Sequence, residues 1–165
     1  MTPPTTASAP PATATEREIL ARLFGAGRAA HPSLALVAAR FEAGALERAA
    51  WTAADDEDSR EGALLAIERR GRGADLFLAL SCDGGVPGAW DRLCTTTLPA
   101  VARGLSARGL APAVADAEAL DLPGHLIQAP EHARSATRLG GYRGSSSLST
   151  FLTVAAYARW STERR

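Results

Sequence analysis

Apolar residues recur at three- and four-residue spacing along most of this chain, and alternating runs of Val, Ile, Thr and Tyr are missing. The first spacing places apolar side chains on one face of a helix, whereas a half-buried strand needs strict alternation. Ala, Leu and Arg, which all favour helices, dominate the composition. The pattern therefore predicts an all-α protein, a compact bundle of six or seven helices, and excludes a β-sandwich or barrel.

Breaks in this spacing divide the 165 residues into three parts. Residues 1–15 contain four prolines and no charged residue, which predicts a disordered tail. Residues 16–72 are predicted to form an N-terminal helical extension, and residues 73–165 a second helical domain. Large apolar residues at helical spacing in the second domain are predicted to share one core: Phe77, Leu80, Trp90, Leu93, Phe151 and Leu152.

Local signals set the predicted ends of the first two helices. Thr15 and Glu18 have the spacing of a capping box, so the first helix is predicted over residues 16–30. A second helix is predicted over residues 33–50, with Val37 facing inward.

Further signals mark the remaining elements. The acidic segment over residues 52–60 is predicted to be a solvated loop. One helix is predicted from Pro87 to Gly104, and another begins near Pro112 and is interrupted at Pro123. The last helix is predicted over residues 147–165, after a glycine- and serine-rich loop.

Charge is uneven although the formal net charge is zero. Residues 1–130 hold 12 Arg against 16 acidic residues, whereas residues 131–165 hold 6 Arg against 2. A zero total excludes a uniformly basic, histone-like binder. The basic C-terminal end favours a polyanionic partner, although a solvated helix face explains it equally well.

No motif for catalysis or cofactor binding is found. The sequence has no phosphate-binding loop of the Walker type, no Gly-x-Gly-x-x-Gly and no His-Glu-x-x-His, so we expect neither an enzyme nor a cofactor. His125, His132 and Asp121 match no common metal-site spacing, and no metal is expected. Cys82 and Cys94 are predicted to be reduced thiols.

The chain is expected to be cytoplasmic and not to bind membranes. No apolar stretch approaches the roughly 18 residues of a membrane span. Residues 1–15 lack both the charged head and the apolar core of a secretion signal.

The segment Tyr142-Arg143-Gly144-Ser145-Ser146-Ser147-Leu148-Ser149-Thr150-Phe151-Leu152 is the most informative part of the sequence. It predicts a helix N-terminus with free backbone N–H groups beside a flexible loop and an arginine. Such an arrangement accepts a phosphate or an unstacked base. A Gly-Ser linker before a capped helix has the same pattern, so both interpretations stay open. Tyr142 is interpreted as a core plug in preference to a stacking platform.

This segment resembles the aromatic-Arg-Gly-x-Ser signature, followed by an aromatic-Leu pair, of extracytoplasmic-function RNA polymerase sigma factors. The resemblance covers residues 74–165, which are similar to the second conserved region of that family. It implies a helical domain that binds the clamp coiled coil of the RNA polymerase core. It also implies that the non-template strand of the promoter minus-ten element is bound, in support of transcription initiation.

The resemblance assigns two sets of residues. Those implied to bind DNA are Arg143, Ser145, Ser146, Ser147, Ser149 and Arg159. Those implied to bind the polymerase are Asp116, Glu118, Leu120 and Asp121, at the start of the predicted helix after Pro112. An anti-sigma protein is a further implied partner.

The chain departs from the family at three places. In the last helix, Val154, Tyr157 and Ala158 stand where the family has basic and Asn residues on its DNA face. Pro123 stands where the family continues its polymerase-binding helix, and the helix-turn-helix of the fourth conserved region is not found in these residues. The alternative function is a helical module that binds polymerase, a sigma factor or an anti-sigma protein without touching DNA. A helical domain of unrelated function is the third hypothesis.

Overall fold

Eight α-helices and one 3-10 helix make up the part of the chain that the computed structural model describes, residues 10–56, 59–128 and 137–163. The α-helices are α1 (Ala14–Ala30), α2 (Ala38–Asp56), α3 (Arg60–Arg69), α4 (Gly73–Asp83), α5 (Ala89–Thr96), α6 (Leu98–Ala107), α7 (Pro112–Ile127) and α8 (Leu148–Glu163). The 3-10 helix, Arg138–Gly141, lies between α7 and α8. The described ranges contain no strand, which confirms the all-α prediction, with one helix more than expected.

The first helix begins two residues before its predicted start. Thr13, not Thr15, is the N-cap, and its capping box is completed by Glu16, not Glu18. The Glu16 carboxylate also accepts hydrogen bonds from Arg60 at 2.6 and 2.7 Å, and this second contact anchors the helix start against α3. Of the predicted tail, residues 1–9 lie outside the described residues.

The boundaries predicted for α2 are wrong at both ends. The helix begins at Ala38 instead of residue 33, and Val37, predicted to face inward, is 58% exposed. It continues to Asp56, through most of the predicted loop over residues 52–60. Alanine explains the extension, because Ala49 is buried in the core and the alanines that follow it have the highest helix propensity.

Proline acts differently at Pro99 and at Pro123. The helix predicted from Pro87 to Gly104 is divided into α5 and α6 at Thr97, beside a proline in the first turn of α6. Pro123, however, lies inside α7, and the predicted interruption there is wrong. Leu122 and Leu126, both buried, hold α7 against the bundle on either side of Pro123, which offsets the roughly 3 kcal/mol cost of a proline in a helix interior.

The core is continuous through the bundle. Around α4 it contains the rings of Phe24, Phe41 and Phe77, whose centroids lie 5.5 to 6.0 Å apart. Gly27 lets α1 approach this cluster, because a Cβ there would lie 2.3 Å from Cβ of Phe77. Such a close approach fixes α1 along α4.

The predicted shared core of the C-terminal part is confirmed. Phe77, Leu80, Leu93 and Leu152 are buried, and Trp90 and Phe151 pack against them partly buried. Both cysteines are free thiols: Cys82 is buried in α4 and Cys94 is half-buried in α5.

Candidate functional site

The loop before α8 is anchored in the core by Tyr142. This side chain is 1% exposed, its hydroxyl donates to the carbonyl of Ser146 at 2.8 Å, and its ring meets Phe151 edge-on at 5.5 Å. Burial, with the nearby Asp75 carboxylate, raises the pKa of the Tyr142 hydroxyl far above its usual value. The interpretation of Tyr142 as a core plug is confirmed, so it offers no stacking surface to a base.

Glycine is required at position 144. Gly144 has φ +75°, and a Cβ there would lie 2.9 Å from Cγ1 of Ile67 on α3. Both the left-handed backbone and the close contact exclude a larger residue. The loop is therefore held on α3.

The serines of the loop differ in exposure and in hydrogen bonding. Ser145 is exposed, while the hydroxyl of Ser146 donates to the Ser147 carbonyl at 3.3 Å. The Ser147 hydroxyl accepts from the Thr150 N–H at 3.1 Å and lies 3.1 Å from the Ser149 hydroxyl. Ser147 is thus the N-terminal cap of α8. This role is structural and requires no ligand.

A carboxylate from another helix reaches the same helix end. Asp75 of α4 accepts a hydrogen bond from the Leu148 N–H at 3.0 Å, and Arg72 lies 3.7 Å from the same carboxylate oxygen. The expectation of free N–H groups is wrong for Leu148 and Thr150, since Asp75 and Ser147 already accept from them. A negative charge at this position is what the positive end of a helix favours. Asp75 takes the place that the sequence predicts for a phosphate.

The two arginines predicted to bind DNA also contact this chain. Arg143 is half-buried, and its Nη1 donates to the carbonyl of Trp51 near the end of α2 at 3.5 Å. Arg159 of α8 donates from Nη2 to Oε2 of Glu118 on α7 at 2.6 Å. Each arginine thus already donates a hydrogen bond to a group of this chain.

The polymerase-binding residues predicted on α7 divide between two faces. Asp116, Leu120 and Asp121 are exposed, and Leu120 has 75% of its surface accessible. Glu118 instead faces α8, where it forms the ion pair with Arg159. Three of the four predicted residues thus share one outward face.

Sequence reasoning missed how far this face extends. Exposed residues without charge follow α7 at alternating spacings of four and three: Ala113, Ala117, Leu120, Gly124 and Ile127. Ile127 is itself 53% exposed. The alternation is the spacing at which one helix contacts another in a coiled coil, and it would have been visible had Pro123 not been interpreted as a break. We call these five residues, with the flanking Asp116 and Asp121, the α7 face.

Among the residues that the structure describes, no helix is both long enough and apolar enough to cross a membrane. Comparison with protein-family models, curated proteins and solved structures finds no significant match to this chain.

Proposed function

We propose that this chain is a sigma-factor-like transcription regulator, which binds the RNA polymerase core through the α7 face and supports transcription initiation at promoter DNA. The observation that carries the proposal is the exposure of Leu120 between Asp116 and Asp121 on a helix whose opposite side is buried. A lone exposed leucine needs no explanation, but a row of uncharged residues at coiled-coil spacing marks a protein contact.

Chemistry limits what this partner can be. The acidic residues beside the row disfavour a second copy of the same face, because like charges would meet. They favour a helical partner with apolar side chains along its centre and basic side chains at its edges. The clamp coiled coil of the bacterial core polymerase is the partner of this kind that the sequence resemblance implies. A cytoplasmic location belongs to the same proposal.

The second contact in the proposal is the non-template strand of the promoter minus-ten element. Its site is the loop and one side of α8. In the loop and the first turn, Ser145 is exposed and Ser146, Ser147 and Ser149 carry hydroxyls. Arg143 supplies charge in the loop, and Arg159 supplies it about three turns along α8. Binding then requires that phosphates compete with Asp75 and Glu118. Because such binding is electrostatic, its affinity must fall with salt concentration.

Docking is tested by measuring the affinity of core polymerase, and of its isolated clamp coiled coil, for immobilised protein. Leu120→Glu is expected to weaken binding at least about tenfold, since a charge replaces an apolar contact. Val37→Glu is the matched control, because Val37 is also an exposed apolar residue and lies away from α7. Absence of binding by the parent protein, or equal loss in both variants, contradicts the proposal.

One observation favours the second candidate, an interaction module without DNA binding. Carboxylates of this chain, Asp75 and Glu118, already hold the α8 N-terminus and Arg159. The two candidates are separated by titrating single-stranded promoter DNA at several salt concentrations. For DNA binding, Arg143→Ala with Arg159→Ala flattens the slope of log affinity against log salt by about 1.4, from about 0.7 per contact. An unchanged slope, or no DNA binding by the parent protein, leaves the interaction module.

A further inference from the structure

Arg48 is a charged side chain in the core. It lies on α2, its side chain is 3% exposed, and it reaches towards α4 and the 3-10 helix. Its Nη2 is 3.5 Å from Oδ2 of Asp83 and 3.4 Å from the carbonyl of Leu139, both near the limit for a hydrogen bond. Its Nε has no hydrogen-bond partner among the described residues.

These contacts compensate the buried charge only in part. A guanidinium stays protonated and has five N–H donors, so burial without partners is costly. The carboxylate of Asp83 is shared, because its Oδ1 accepts from the N–H and the hydroxyl of Thr137 at 3.1 and 2.8 Å. Burial lowers the pKa of Arg48 by more than Asp83 and Glu47 raise it, in keeping with this incomplete compensation.

A cavity of about 310 Å³ lies beside this side chain. Leu36 and Leu80, which are 2% and 7% exposed, contribute a small apolar patch to its lining, and Arg40 adds a second guanidinium on the exposed side. Gly44 keeps the passage to Arg48 open, because a Cβ there would lie 3.3 Å from Nη1 of Arg48 and 2.3 Å from Cδ2 of Leu80. The volume is at the lower end of the range for small-molecule sites.

We propose that this cavity binds a small monocarboxylate, whose carboxylate accepts hydrogen bonds from Arg48 and Arg40 and whose short apolar stem lies on Leu36 and Leu80. An arginine binds a carboxylate through its N–H groups, and Nη1 of Arg48, which would lie 3.3 Å from a Cβ at Gly44, is the group of this side chain that lies beside the lining. The site is separate from the loop before α8 and from the α7 face, and it does not depend on the function proposed above.

Charge in the lining decides between anions. The lining contains two carboxylates, of Glu47 and Asp83, and two guanidinium groups, of Arg40 and Arg48. Its formal net charge is therefore zero. A dianion such as phosphate would add repulsion from both carboxylates, whereas a monocarboxylate adds one charge beside an incompletely compensated guanidinium. A neutral amide of the same shape lacks the charge-assisted hydrogen bonds.

The probes are therefore butyrate, butyramide and inorganic phosphate, at constant ionic strength. Arginine Nε–Hε resonances of the full chain are followed by nuclear magnetic resonance, and the Arg48 signal is assigned from its contacts with the methyl groups of Leu36 and Leu80. Butyrate is expected to shift this resonance saturably, with a Kd on the order of 1 mM. Butyramide and phosphate are expected to leave it in place.

Arg40→Gln tests the site without disturbing the core, because Arg40 is exposed. It is expected to weaken butyrate binding at least about fivefold, the effect of losing one charged hydrogen bond. Arg103→Gln, an exposed arginine on α6, is the matched control and is expected to bind like the parent protein. The proposal is overturned if the Arg48 resonance does not saturate, if butyramide or phosphate shifts it equally, or if both variants lose affinity alike.

Discussion

Arg159 on α8 donates a 2.6 Å hydrogen bond to Glu118 on α7, and each side chain is about one-sixth exposed. The sequence resemblance implies different partners for these two residues, DNA for Arg159 and polymerase for Glu118. In the folded chain these two side chains instead form an ion pair with each other. The ion pair also joins the two helices on which the two proposed contacts lie.

The first prediction concerns this ion pair. Glu118→Gln keeps the shape of the side chain but removes its charge, so Arg159 is released more readily to a phosphate. Since an ion pair of this exposure contributes about 0.5–1 kcal/mol, we expect a two- to fivefold gain in affinity for single-stranded promoter DNA at low salt. Fluorescence anisotropy measures it. Asp116→Asn, which removes one exposed charge from the same helix, is the control; an equal gain there means that net charge alone is responsible.

The second prediction compares two glycines on α1. Gly27→Ala places a Cβ 2.3 Å from Cβ of Phe77, so α1 must move from α4, and we expect a loss of about 1–3 kcal/mol of unfolding free energy. At Gly25 nothing lies within 4 Å of an added Cβ. Gly25→Ala is therefore expected to gain up to about 1 kcal/mol through helix propensity. Urea denaturation measures the change in unfolding free energy of each variant. Changes of the same sign in both variants contradict the packing argument.

Helical spacing was enough to predict the fold class and the core, but not the helix ends. Thr15 with Glu18 and Thr13 with Glu16 are equally good capping boxes, and only the contact of Glu16 with Arg60, 44 residues away, decides between them. Pro123 likewise predicts a helix break from the local sequence alone. The helix continues because Leu122 and Leu126, on either side of it, are buried in the core.

The candidate site was predictable in its residues but not in its connections. Tyr142 was correctly predicted to lie in the core, and that prediction came from its position directly before Arg-Gly. That Asp75 caps α8 has no local signal, since it lies 73 residues from Leu148. Arg48, similarly, has the surroundings of a surface helix in the sequence, and only the packing of α2 against α4 buries it.

The third prediction concerns the two thiols. Burial raises the pKa of the Cys82 thiol to about 12. Cys94 is only half-buried, and burial also raises the pKa of its thiol. Because the thiolate is the reactive form and Cys82 is enclosed, native protein treated with iodoacetamide at about pH 8 is expected to be alkylated at Cys94 at least about tenfold faster than at Cys82. Peptide mass spectrometry gives both rates in one sample. In denaturant the two rates should converge, and equal rates in native protein would show that Cys82 is not enclosed.

The last prediction is a pH dependence of stability from His31. This residue caps the C-terminal end of α1 and is 8% exposed, and its ring is parallel to that of Phe77, 6.2 Å away. Its Nδ1 accepts a hydrogen bond from Nε of Arg92 at 3.2 Å, an arrangement that a protonated ring cannot make. Burial, and then the charge of Arg92, lower the pKa of His31, although the Ala74 backbone and Asp75 oppose the shift.

A histidine whose pKa is lower in the folded state stabilises the fold fully above its unfolded pKa. The contribution is then lost as the pH falls from about 6.5 through the folded pKa, because the unfolded chain binds the proton more readily. We expect the unfolding free energy to decline below about pH 6.5 with a slope of at most about 1.4 kcal/mol per pH unit from this group. Urea denaturation between about pH 7.5 and 5.5 measures it, a range in which histidine is the side chain that ordinarily titrates.

The control is a second histidine. His31→Gln retains an acceptor for Arg92 but cannot titrate, so it is expected to remove most of the slope. His125→Gln is expected to remove less, because His125 lies on α7 in a less buried position, although burial and Arg138 also lower its pKa. If the slope survives His31→Gln and disappears in His125→Gln, the acid sensitivity belongs to α7 and not to the contact between α1 and α5.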